Sequence, residues 1–133
     1  MNLSERSIKN LEGVHYDLVR VVRRAATLTD LDFVVTEGLR SVDRQRVLVD
    51  RGASRTMRSR HLTGHAVDLA AVIDGEVRWD WPLYSKLAAV MKRAADELQV
   101  PLEWGGDWKK FRDGPHFQLP WEAYPAEQPA EVA

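Results

Sequence analysis

Residues 59–78, SRHLTGHAVDLAAVIDGEVR, change character three times, and those changes set the fold class. The run Val67-Asp68-Leu69-Ala70-Ala71-Val72-Ile73 is apolar apart from one carboxylate and has the length of a strand. Asp74-Gly75 and then Glu76-Val77-Arg78 follow, and an Asp-Gly pair between two extended segments predicts a hairpin. Upstream, Ser59 to Thr63 has no strand pattern, and Gly64 takes backbone angles that residues with a Cβ avoid. A bend at Thr63-Gly64 has a chemical consequence. His61 and Asp68 are seven positions apart, and on one flat strand that odd spacing sends them to opposite faces, ~23 Å apart. Only a bent chain brings them together. Asp68 inside an apolar run also needs a partner, because a buried unpaired charge is costly. An imidazole-bound cation is one partner; a hydrogen bond to histidine or to backbone is another.

Towards the N-terminus, Ser4 or Ser7 can cap a helix whose apolar positions Leu11, Val14, Leu18, Val21, Val22 and Ala25 recur at three- and four-residue steps. This predicts one long amphipathic helix ending near Thr27 to Asp30, with His15 at the stripe's edge as a structural or exposed residue. The segment from Asp32 to Thr36 reads as a strand and leaves through Glu37-Gly38-Leu39-Arg40-Ser41. Ser41 caps the next helix, from about Val42 to Arg51, and Gly52 stops it. Residues 53–60, ASRTMRSR, read as a loop, and its Arg55, Arg58 and Arg60 read as solvated or as contacts for an anionic substrate.

Towards the C-terminus, Asp80 caps a helix with Pro82 in its first turn and Leu83, Leu87, Val90, Met91, Ala94, Ala95 and Leu98 as its buried stripe. Pro101 to Trp104 predicts a short strand that empties into Gly105-Gly106-Asp107-Trp108. Asp113-Gly114-Pro115 is a turn, and His116 to Leu119 a last strand. Helices and short strands with a hairpin, lacking regular βαβ alternation, predict an α+β fold: a small antiparallel sheet flanked by helices. The size predicts one domain, residues 1–122, with 123–133 as a flexible C-terminal tail.

Composition narrows the chemistry. The 133 residues include no cysteine, which excludes disulfides and a thiol nucleophile and leaves His and carboxylates as metal ligands. A formal net charge of -1 gives no basic field for nucleic acid. No stretch approaches the ~18 apolar residues of a membrane span. The opening MNLSERSIKN lacks the basic-then-apolar order of a secretory signal, so the expectation is synthesis in the cytoplasm and another way out if the protein acts outside.

Three nitrogen or oxygen ligands plus an open position is the arrangement of a catalytic zinc, and the candidates are His61, Asp68 and His116. His116 faces the same side as Asp68 if their strands are neighbours. Asp113, three residues before His116 across Gly114-Pro115, can sit beside the metal without ligating it. A general base belongs there, because zinc draws the pKa of water towards neutrality and a nearby carboxylate can take the proton. His61 and His65 form H-x-x-x-H, but Leu62 stands where one zinc protease class has Glu, and Gly64 disfavours the helix that motif needs. His65 is therefore expected near the groove and not as a ligand.

The pattern S-x-H-x-x-G-x-A-x-D, filled by Ser59, His61, Gly64, Ala66 and Asp68, resembles the signature of the zinc D-alanyl-D-alanine carboxypeptidase family. That family includes vancomycin-resistance peptidases and phage L-alanyl-D-glutamate endopeptidases. Asp113 and His116 resemble its second motif, and Arg40 followed by Gln45 its arginine segment. The resemblance implies one zinc ion on His61, Asp68 and His116, Asp113 as general base, and Arg40 steadying the scissile carbonyl and its oxyanion. It also implies a fold like that of the hedgehog signalling domain. Ser59, Gln45, His65, Trp104 and Trp108 are candidate substrate contacts. Asp113 in place of the Glu of many carboxypeptidases, and the Trp104-Gly105-Gly106-Asp107-Trp108 loop, resemble the endopeptidases more. The expectation is a monomeric endolysin that cuts the L-alanyl-D-glutamate bond of the peptidoglycan stem peptide after holin-type release. A D-alanyl-D-alanine carboxypeptidase and a zinc-stabilised binding module are the alternatives, although a pure binder would need neither Asp113 nor Arg40.

Overall fold

β2 (Ala66–Ile73) is the strand on which the sheet is assembled. The computed structural model describes residues 1–54 and 56–125. Along one side β2 pairs antiparallel with β1 (Phe33–Glu37). Its C-terminal half pairs with β3 (Glu76–Arg78) across the Asp74-Gly75 turn, as the hairpin signal predicts. Its N-terminal half pairs with β5 (His116–Gln118), which carries the two-residue β4 (Glu103–Trp104) beyond it. Every pairing is antiparallel, and with helices packed against the sheet the fold is α+β.

Strand alternation divides the sheet into a core face and a site face. Val67, Leu69 and Ala71 of β2 join Phe33, Val35, Trp104 and Phe117 in the core, while Asp68 projects the other way. The core is closed by α2 (Tyr16–Leu28) and α4 (Trp81–Leu98). These contribute Leu18, Val21, Val22 and Ala25 from one stripe and Leu87, Met91, Ala94 and Ala95 from the other. Leu18 and Val22 lose all their solvent exposure, and burial of such a side chain stabilises by ~1.5–3 kcal/mol.

Two features differ from the sequence expectation. The long first helix is two helices, α1 (Glu5–Asn10) and α2, because Gly13 adopts φ 79° and His15 starts a new helix. His15 caps it by accepting the Asp17 backbone N–H at Nδ1, 3.0 Å away. The apolar spacing continues across the break, so periodicity could not reveal it. Asp80 occupies the cap position of α4 but makes no cap bond; its carboxylate takes Arg78 instead, at 2.6 Å. Pro82, the second residue of α4, has no N–H to offer it.

The C-terminal segment folds back onto the domain. The Tyr124 hydroxyl donates to Asp17 at 2.7 Å, and the Tyr124 carbonyl accepts from Arg60 at 2.6 Å. Residues 126–133, the remainder of the expected tail, lie outside the described residues, as does Arg55.

Candidate metal centre and cleft

Asp68 faces His116 directly across the β2–β5 ladder, so the two side chains share the site face. On the other side of β2 the register shifts between Val35 and Glu37, which sets Glu37 opposite Asp68. Without this bulge Glu37 would share the core face with Val35, because a one-residue slip turns a side chain over. His61 arrives from the turn of 3-10 helix at Arg60–Thr63, and Ser59 Oγ accepts the His61 backbone N–H. Gly64 ends that turn at φ 77°, and a Cβ there would strike the Gly13 carbonyl oxygen. The bend inferred from Thr63-Gly64 is therefore required twice, by backbone angle and by close approach.

The bend and the ladder bring His61, Asp68 and His116 together, with ligand atoms all within 4.8 Å of one another. His61 Nε2 lies 3.2 Å and His116 Nδ1 3.3 Å from the same Asp68 oxygen, Oδ1. The outer nitrogens are committed elsewhere: His61 Nδ1 donates to the Gly38 carbonyl at 2.8 Å, and His116 Nε2 to Gln118 Oε1 at 2.7 Å. Gln118 is itself oriented by donating to Glu103, 3.2 Å away. In the neutral rings both inner nitrogens thus turn lone pairs towards a carboxylate oxygen. Three acceptors facing one another call for a cation, and outer hydrogen bonds of this kind orient metal-binding imidazoles. The donor set, two nitrogens and one oxygen, fits zinc.

Electrostatics agree with the geometry. Burial acts to raise the Asp68 pKa, but the charge and hydrogen bonds of the two imidazoles, when protonated, outweigh it and hold the carboxyl well below the usual range; a bound cation would take the place of those protons. For His116, burial acts to lower the pKa and the Asp68 carboxylate more than reverses it. Asp113 differs from Asp68: burial, then the Asp68 charge, push its carboxyl up. A carboxylate raised in this way is a better proton acceptor than an ordinary one. Its place depends on close backbone packing, since the Asp113 N–H donates to the Gly105 carbonyl at 3.0 Å and a Cβ on Gly105 would strike the Asp113 carbonyl.

These groups line a cleft of about 490 Å³. Arg40, Ser59, Trp108 and Asp113 line it with the three clustered residues, whereas Gln45, His65 and Trp104 do not. Arg40 is buried, gripping both Glu37 oxygens at 2.7 Å through Nε and NH2 and Gln45 Oε1 at 2.6 Å through NH1. Its NH2 is 3.9 Å from Asp68 Oδ2. Gln45 is fully buried, outside the cleft lining, and ties Arg40 to Ser54 and the Thr56 carbonyl, so it holds the arginine in place. His65 hydrogen-bonds Thr63 at 2.8 Å and packs its ring 5.2 Å from His15, at the start of α2 and away from the cleft. Trp104 stacks on Phe117 and donates to the Gly114 carbonyl at 2.7 Å, supporting the Asp113 turn from the core. The Ser59 hydroxyl accepts the His61 N–H, and Trp108 lies beside His116 at 5.2 Å while donating to Glu103 at 2.8 Å.

Sequence reasoning missed Glu37, Gln118 and Arg60. Gln118 was within reach, since it stands two positions after His116 on a strand and shares its face. Glu37 depends on the bulge. Arg60, read as a loop cation, is 1% exposed and donates to the carbonyls of Leu119, Pro120 and Tyr124.

The family model for the phage L-alanyl-D-glutamate peptidase matches residues 1–119. The chain belongs to that family. It is an L-alanyl-D-glutamate peptidase, a metallopeptidase of the zinc type. It is 32% identical over 113 residues to the L-alanyl-D-glutamate peptidase of Escherichia phage T5, covering 82% of each chain. The crystal structure of the Serratia marcescens L-Ala D-Glu endopeptidase ChiX superposes with a TM-score of 0.89 at 52% identity, covering 95% of each chain. The vancomycin-resistance D,D-pentapeptidase VanY, solved in complex with Zn(II), shares the fold with a TM-score of 0.55 at 16% identity, over 80% of this chain and 72% of that one.

Proposed function

We propose that this peptidase hydrolyses the L-alanyl-D-glutamate bond of the peptidoglycan stem peptide with one zinc ion held by His61, Asp68 and His116. The observation that carries the metal assignment is the set of three inward acceptor atoms whose outer nitrogens are already tied to Gly38 and Gln118. Zinc held there would supply Lewis acidity for the scissile carbonyl and a water nucleophilic near neutral pH. Asp113 takes the proton from the attacking water and returns it to the departing amine of D-glutamate, a role its raised pKa supports. Arg40, held rigidly by Glu37 and Gln45, presents a remaining N–H of its guanidinium to the carbonyl oxygen as negative charge develops there. Trp108 forms part of the wall that receives the stem peptide.

Holin-type release to the wall and a monomeric working form complete the proposal, and the first is supported by the occurrence of a relative in Escherichia phage T5. No helix among the described residues is long and apolar enough to cross a membrane. The deciding experiment incubates zinc-loaded protein with purified peptidoglycan and labels the new amino termini. Glutamate termini are expected. Release of free D-alanine alone would overturn the bond assignment in favour of carboxypeptidase chemistry, and full activity in a strong chelator would overturn the metal.

A further inference from the structure

D-glutamate has two carboxyl groups and onward linkage of the stem peptide uses one, so the residue on the amine side of the cut keeps a free carboxylate. The metal end of the cleft is a poor place for it, because Asp68 and Asp113 already balance the two charges of a zinc ion there and Glu37 lines the same cleft. Arg40 is there too, but both of its Glu37 contacts are made and its charge is already matched. A carboxylate entering with the substrate needs a cation elsewhere in the cleft.

The wall built from residues 58–60 and Trp121 supplies one. Arg58 and Arg60 both lie on the Trp121 ring, with guanidinium carbons 4.7 and 4.1 Å from its centroid, and all three residues line the cleft. Arg60 is the buried base of this wall. Its NH1 has no hydrogen-bond partner, and neither Glu103 nor Glu122, the acids that act on it, forms an ion pair with it. Two positive charges therefore stand on one aromatic ring, and neither forms an ion pair among the described residues, although Glu103 and Glu122 lie near enough to act on Arg60. Arg58 is exposed to the cleft and can meet a ligand, whereas Arg60 is 1% exposed and cannot. Arg58 precedes His61 by three residues, so their Cα atoms are at most ~11 Å apart. A side chain as long as arginine spans much of that gap. Stacking on Trp121 also holds the planar guanidinium ready for two-point contact with a carboxylate.

We propose that Arg58, stacked on Trp121 beside Arg60, binds the free carboxylate of the D-glutamyl residue and makes the cleft select an acidic residue on the leaving side. This deepens the peptidase reading and rests on it. The test uses two stem tripeptides that differ only in that carboxylate, free in one and amidated in the other, with zinc-loaded wild type, Arg58→Gln and Arg58→Lys. Cleavage is followed by kinetics and binding by calorimetry. The wild type should prefer the free carboxylate by about tenfold in kcat/KM, mostly through KM, as expected for a hydrogen bond to a charged group at a partly open site. Arg58→Gln should lose the preference and treat the two peptides alike, and Arg58→Lys should restore part of it. A wild type that does not discriminate, or an Arg58→Gln that loses both substrates equally, overturns the proposal. A wild type that binds the free carboxylate preferentially yet cuts neither peptide upholds Arg58 and overturns the peptidase reading instead.

Discussion

Gln118→Leu tests whether the imidazole orientation defines the metal centre. Gln118 is 6% exposed and touches His116 only at Nε2, the nitrogen that faces away from Asp68. Leucine keeps most of the volume and removes the acceptor, which leaves the His116 ring free to turn or to change tautomer. Loss of such an outer partner weakens metal binding by ~10–100-fold, or ~1.4–2.7 kcal/mol. Zinc bound only to the folded state stabilises it by the logarithm of concentration over Kd, so the zinc-induced gain should shrink by the same ~1.4–2.7 kcal/mol at saturating metal. In a domain of this size that is a zinc-dependent rise in Tm smaller by ~4–10 °C. Leucine also leaves the His116 N–H and Glu103 short of a partner, which should lower metal-free stability by ~1–3 kcal/mol. The two effects separate when melting is followed with chelator and with zinc, and Kd is measured by competition with a chromophoric chelator. An unchanged zinc affinity alongside reduced metal-free stability would refute the reasoning, because His116 would then bind without its outer hydrogen bond or not at all.

Asp113→Asn should retain zinc, measured by metal analysis, and lose ~10²–10⁴-fold in kcat; wild-type turnover in that variant would remove Asp113 as the base. Arg40→Lys keeps the charge but loses the paired grip on Glu37, and kcat should fall ~10²-fold with little change in KM. Gly64→Ala should cost about 2 kcal/mol or more in denaturant unfolding, because alanine is strained at φ 77° and meets the Gly13 carbonyl. Tyr124→Phe removes the hydrogen bond that is the largest cause of the lowered Asp17 pKa. A lowered folded-state pKa stabilises above the unfolded value and the gain is lost as pH falls through the folded one. The variant should therefore be less stable by ~1 kcal/mol at pH 7, with the difference closing under acid conditions below the ordinary aspartate range. A difference independent of pH would mean that Tyr124 acts by packing alone.

The cluster of His61, Asp68 and His116, which could hold a metal, is legible in the amino-acid sequence because its signals are local. A glycine bend between His61 and Asp68, a strand run with one carboxylate, and an acid three residues before His116 across a Gly-Pro turn are properties of short segments. The same holds for the Asp74-Gly75 hairpin and for α3 (Val42–Asp50), which Ser41 caps. The break at Gly13 is hidden because the apolar stripe runs through it, and a period describes which face is buried without saying whether the axis continues. Gln45, His65 and Trp104 carry chemistry-bearing side chains in suggestive places, yet each faces a partner that no local pattern names: Arg40, His15 and the Gly114 carbonyl.

By itself, then, the sequence determined the strands and helices of the α+β fold, the bend, and the residue types available to a cation. The tertiary structure decided that β5 lies beside β2 with His116 opposite Asp68, that a bulge turns Glu37 towards Arg40, and that Arg60 is buried beneath the returning C-terminal segment. The physical reason is range. Dihedral preference, alternation and turn chemistry act over a few residues, whereas the hydrogen bonds that His61 and Arg60 make to distant carbonyls join residues 23 and 64 positions apart and form only when the core closes.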